Sequence, residues 1–200
     1  MKNKLVFLLL IFFLLLNTRV FANVNVGSAT ITAYLNVKPI SSIAFNNNSD
    51  SSIAFNNNSE NNSIVIENNL YWKDLLQGRV CKDFKSNSSR ITGVVGGSSI
   101  NGQSWAITAF DPEYLASCNK GFTLYDSCSG RKIEVILYSD QSPIGRGCAY
   151  RVTPFESFVS RLAAPDDSVQ VSVWGVIPKG TYLAPGVYQA RLVLQIRSGA

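Results

Sequence analysis

Apolar and polar residues alternate most strictly near the two ends of the chain. Ile31, Ala33, Leu35 and Val37 share one face of an N-terminal run, with Thr30, Thr32, Tyr34 and Asn36 opposite, and Pro39 ends it. Near the C-terminus Val169, Val171 and Val173 share a face. After a connection punctuated by Pro178, Gly180, Pro185 and Gly186, so do Tyr188, Ala190, Leu192, Leu194 and Ile196. Period two with one polar face predicts strands that cover a core. The two C-terminal runs read as a closing hairpin whose last strand leaves an edge to be blunted or paired.

Between the ends the pattern predicts further short strands: Ser63–Glu67, Arg90–Val95, Ser104–Phe110, Phe122–Tyr125 and Ile133–Tyr138. Asn101-Gly102 is a hairpin-turn signal between the second and third of these, and Ser129-Gly130 marks a turn between the last two. With the ends this makes roughly seven to nine strands, the pattern of a β-sandwich. Short helices break the rhythm. Thr153–Leu162 has a cap, a proline at the first helical position and Phe155, Phe158, Val159 and Leu162 at helical spacing; a loop ending in a strand is the rival reading. Leu70–Gln77, stopped by Gly78, reads as a helical turn or two, and Asp111-Pro112-Glu113 as a helix start.

The first 22 residues stand outside this pattern. A basic start, the unbroken apolar run Leu5–Leu16 and the Val20-Phe21-Ala22 cleavage signal read as a secretory signal peptide cut before Asn23. The expected organisation is 1–22 signal peptide, 23–40 N-terminal strand segment, 41–62 an Asn-rich tandem duplication and 63–200 the sandwich domain. In the duplication Ser41–Asp50 recurs as Ser51–Glu60, identical except for the last residue. Two copies make no solenoid, but a period of ten keeps every side chain on its original face if pairing slips by one repeat. Losing Lys2, Lys4 and Arg19 leaves 15 basic against 13 acidic residues. A net charge of +2 without a basic cluster gives no support to a nucleic-acid partner.

Candidate chemistry is sparse. The chain has no histidine, which removes the commonest general base and the Ser-His and Cys-His arrangements, and it carries no cofactor motif. Asp166-Asp167, Asp111 and Glu113 read as turn and helix-start residues, and no enzyme is expected. Cys81, Cys118, Cys128 and Cys148 in an exported chain suggest two disulfides of open connectivity, ahead of a zinc site, for which the Cys-x-x-Cys spacing is missing. Trp105, Trp174, Tyr138 and Tyr188 lie in predicted strands and read as packing residues. Tyr71 and Trp72 are either partly buried or a sugar-stacking surface.

The residues Ile136-Leu137-Tyr138-Ser139-Asp140, Val173 to Pro178, Pro185-Gly186-Val187-Tyr188 and Leu192 to Ile196 resemble the C-terminal half of the spore-coat-U-like domain. That domain is found in archaic chaperone–usher pilus subunits of Gram-negative bacteria. Ile31 to Pro39 is similar to the donor segments of those subunits and of colonisation-factor-type pilins. The chain departs from the pattern in placing the Asn-rich duplication where a cysteine often follows the donor strand. The resemblance implies an all-β, incomplete immunoglobulin-like sandwich with an N-terminal donor strand, and a structural subunit that polymerises by donor-strand exchange. It implies Ile31, Ala33, Leu35 and Val37 as inserted side chains and Tyr188, Ala190, Leu192, Leu194 and Ile196 as a wall of the acceptor groove. It further implies a periplasmic chaperone, an outer-membrane usher and neighbouring subunits as partners, and export through the periplasm to the cell surface. A self-complete secreted binding module, lectin-like or adhesive, is the alternative.

Overall fold

The computed structural model describes residues 24–39, 63–95, 104–110, 121–142, 145–162 and 167–198. The segment read as a signal peptide, the duplication, Asp111–Glu113 and Cys118 lie outside them. Fourteen strands follow in chain order: β1 Val24–Lys38, β2 Ser63–Ile66, β3 Leu70–Tyr71, β4 Leu75–Leu76, β5 Gly78–Arg79, β6 Phe84–Val95, β7 Ser104–Phe110, β8 Phe122–Tyr125, β9 Lys132–Ser142, β10 Gly145–Val152, β11 Ser157–Leu162, β12 Asp167–Ile177, β13 Tyr182–Leu183 and β14 Gly186–Ser198. One layer runs β11-β7-β14-β1, with β3 and β4 on the far edge of β1. The other runs β10-β9-β12-β6-β2. β8 pairs with both β14 and β9 and so curls the two layers into one sheet. The fold is all-β and of the immunoglobulin-like sandwich kind.

Alternation builds the core as expected. Val169, Val171 and Val173 from one layer meet Leu192, Leu194 and Ile196 from the other, all at most 3% exposed. Yet β12 and β14 do not pair with each other. β12 lies between β6 and β9, and β14 between β1 and β7, so the Pro- and Gly-rich connection crosses from one layer to the other. The turn signal Asn101-Gly102 lies outside the described residues; of the strands on either side of it, β6 pairs with β12 and β2 and β7 pairs with β11 and β14. The β8–β9 hairpin forms as read, with Gly130 at φ +69° in its turn.

No helix occurs among the described residues. The segment read as a helix over Thr153–Leu162 is a turn followed by β11. A bulge between Ser157 and Val159 lets two consecutive side chains, Phe158 and Val159, face inward. Two adjacent inward residues imitate helical spacing. Phe155, at φ +66°, leaves the core and stacks on Phe110, with ring centroids 5.3 Å apart. Leu70–Gln77 is not helical either; its two short strands lie parallel along β1.

Trp72, weighed as a sugar-stacking residue, is core, and its indole N–H donates to the Phe84 carbonyl at 3.0 Å. It fits because Gly175 faces it: a Cβ there would stand 2.5 Å from the ring. The Gly175 N–H, at a bulge in β12, donates to Ser86 Oγ at 2.9 Å. Gly175→Ala is therefore expected to destabilise by about 1–3 kcal/mol through overpacking, read as a lowered urea midpoint.

Candidate functional site: a groove filled by the N-terminal strand

The last strand has no free edge. β1 lies against it antiparallel over thirteen register pairs, from Val24 opposite Ser198 to Val37 opposite Gly186, with one irregularity between Asn25 and Gly27. The four side chains that the resemblance singled out as inserted point into the core: Ile31 and Leu35 are 1% exposed, Ala33 and Val37 2%. In register, Ile31 stands opposite Leu192, Ala33 opposite Ala190 and Leu35 opposite Tyr188. Leu194 faces Ala29 and Ile196 faces Gly27. The residues expected to form a groove wall and those expected to fill it thus come together within one chain.

The other edge of β1 is also satisfied. Ala33 and Tyr34 run parallel to Leu70 and Tyr71, and Val37 and Lys38 to Leu75 and Leu76. The Trp72 N–H donates to the Tyr34 carbonyl at 3.1 Å, and the Gln77 N–H to that of Lys38 at 2.8 Å. Asn69 Oδ1 accepts from the Thr32 N–H at 3.1 Å. Lys38 pairs with Asp74, whose carboxylate also accepts from the Asn36 amide. β1 is thus a central strand that bridges two edges. Without it, β14 on one side and β3 and β4 on the other would present unpaired backbone groups along an apolar slot.

The C-terminal end of β1 meets the β8–β9 turn. Asp126 closes that turn, accepting from the Ser129 hydroxyl and, at 3.1 Å, from the Cys128 N–H. Gly186, opposite Val37, lets the carboxylate approach: a Cβ there would stand 2.6 Å from Oδ2. Beside it, burial pushes the Tyr188 phenol up, and its hydroxyl donates to the Ala184 carbonyl at 2.9 Å. The Ser129 hydrogen bond holds the Asp126 carboxyl below its usual range. Because the folded value is depressed, the stabilisation is present above the unfolded value of about 3.9 and is lost as the pH falls through the lowered folded value. The urea midpoint is expected to fall over that acid range, and to fall less steeply in Asp126→Asn.

Cys81 and Cys128, two of the four cysteines expected in disulfides, are free thiols at exposed loop positions. A bend after β5 holds Cys81, whose thiol lies 3.7 Å from the Arg79 carbonyl, and the β8–β9 turn holds Cys128. The side chain of Cys148 lies outside the described residues, as does Cys118. Among the described residues no group of three or more His, Cys, Asp or Glu side chains could hold a metal ion.

The outer faces of the two layers carry aromatic groups of different kinds. On β9 and β12, Tyr138 stacks on Trp174 with centroids 6.2 Å apart, and Lys85 Nζ lies 4.1 Å from the Trp174 ring centroid. These residues pack against one another as expected. On the β1 layer Tyr71 is 54% exposed and stands beside Tyr34.

No family model matches the chain, and no curated protein does. Solved structures that superpose on it include the DraE adhesin in complex with chloramphenicol succinate, at 13% identity and TM-score 0.42 over 90% of this chain and 98% of that one. An antigen and type I fimbria protein of Burkholderia pseudomallei superposes at 11% identity and TM-score 0.43, over 85% of this chain and 96% of that one. A chaperone–tip adhesin complex of CFA/I fimbriae gives 12% identity and TM-score 0.39, over 78% of this chain and 40% of that one.

Proposed function

We propose that the protein is a structural subunit of a chaperone–usher surface pilus that polymerises by donor-strand exchange, for adhesion or biofilm formation. The observation that carries this reading is the position of β1, inserted between β14 and β3 with Ile31, Ala33, Leu35 and Val37 in the core. Twenty-four residues, 39–62, separate β1 from β2. A strand on such a tether can leave its own groove and enter an identical one, remaking the same ladder and the same apolar contacts. Head-to-tail exchange of this kind does not close, so it builds a fibre. An emptied groove exposes apolar surface and backbone groups, which calls for a periplasmic chaperone before assembly and an outer-membrane usher during it.

The filled groove also favours a second reading, a self-complete secreted binding module. Disulfide trapping separates the two. Thr30 and Val193 stand opposite each other on β1 and β14. In a chain carrying Thr30→Cys and Val193→Cys, with Cys81 and Cys128 changed to serine, material sheared from the cell surface is expected to give a ladder of covalent multimers. Cross-links found only within single chains would sink the pilus reading and leave the self-complete module.

A further inference from the structure

The strand register sets one row of side chains across the outer face of the β1 layer: Tyr71 on β3, Tyr34 on β1, Gln189 on β14 and Tyr125 on β8. Neighbouring strands lie about 4.8 Å apart, so Tyr34 and Tyr125 stand ~10 Å apart, with the Gln189 amide between them. Tyr34, Tyr71 and Gln189 are exposed and Tyr125 is half-buried. Tyr188 gives its hydroxyl to Ala184 and Tyr138 stacks its ring on Trp174. The rings and hydroxyls of Tyr71, Tyr34 and Tyr125, by contrast, have no partner among the described residues. One step along the same face, Arg191 stands exposed opposite Thr32 and makes no ion pair among the described residues.

We propose that the Tyr71–Tyr34–Gln189–Tyr125 row, with Arg191, is a binding site for an oligosaccharide that bears a carboxylate. The aromatic faces suit the C–H faces of sugar rings, the phenols and the amide suit sugar hydroxyls, and the exposed Arg191 guanidinium suits a carboxylate held as a bidentate fork. A row of side chains set across four neighbouring strands suits an extended chain of two or three sugars rather than a small molecule enclosed in a pocket. Tyr34 rides on β1, so the site is complete only while the groove is filled. On the pilus reading the neighbouring subunit supplies Tyr34, and each junction in the fibre carries one site. In the monomer the chain's own β1 supplies it, so the site can be tested whether or not the protein polymerises.

The test is saturation-transfer NMR and titration calorimetry on the monomeric mature chain with 3′-sialyllactose and with lactose as its uncharged counterpart. Sialyllactose is expected to bind more tightly, with Arg191→Ala removing the difference while the lactose signal remains. Tyr125→Ala is expected to weaken both by about tenfold, the equivalent of ~1.4 kcal/mol. Its thermal midpoint, measured alongside, shows that the fold is kept, and Tyr125→Phe is expected to retain most of the binding. Absence of transfer from both sugars overturns the proposal. So does concentration-dependent dimerisation in sedimentation that Tyr34→Ala abolishes, which would assign the face to a second copy of this chain.

Discussion

Leu35→Asp is expected to abolish the folded monomer. Leu35 is 1% exposed, toward the C-terminal end of β1, opposite Tyr188. Truncating such a residue to alanine costs about 2–5 kcal/mol. A carboxylate in its place adds the cost of burying an unpaired charge, which is several kcal/mol more. Together these rival the whole stability of a typical domain, about 5–15 kcal/mol. The neighbouring position is the control. Tyr34 points to the opposite face, and Tyr34→Asp is expected to cost only about 1 kcal/mol, through lost strand preference. Urea unfolding followed by far-UV circular dichroism distinguishes the two variants. A Leu35→Asp chain that unfolds at the wild-type midpoint would show that β1 does not occupy the core in solution.

Removing β1 altogether, by a chain that starts at Pro39, is expected to have the largest effect of all. β14 then loses its partner over thirteen register pairs, and β3 and β4 lose theirs. Such a chain is expected to aggregate or to show no cooperative transition. A synthetic peptide of residues 24–38 is expected to restore the transition, with a midpoint that rises with peptide concentration by the mass-action relation for a ligand that binds only the folded state. A peptide with Leu35→Asp should not restore it. A shortened chain that is soluble, monomeric and cooperative without peptide would mean that the groove closes on itself and that β1 is a dispensable cover.

The parts of this arrangement that follow from period two were readable in the residues. Ile31, Ala33, Leu35 and Val37 announce a buried face, and so do Tyr188 to Ile196, because alternation depends only on the chain's own pleat. What pairs with what was not readable. The two C-terminal runs look like a hairpin because a Pro- and Gly-rich connection joins them, yet that connection equally allows a crossing between layers. Phe158 and Val159 face the same way only because of a bulge, which alternation does not foresee. Trp72 looks exposed beside charged residues, and its burial depends on the missing side chain of Gly175, about a hundred residues later. The tyrosine row was hidden for the same reason. Its members come from four separate stretches of chain, and only the register of β1 with β3 and β14, and of β14 with β8, aligns them.

The antiparallel run of β1 along β14 also has a mechanical consequence. The ladder's hydrogen bonds lie perpendicular to the strands. A pull that draws β1 out along its own axis loads the long ladder in shear, so many bonds share the force before any one yields. A pull directed across the strand would instead peel the pairs apart one at a time. If subunits join by strand exchange as proposed, their chain is expected to be strongest along its own axis, the direction in which flow would drag it from a surface.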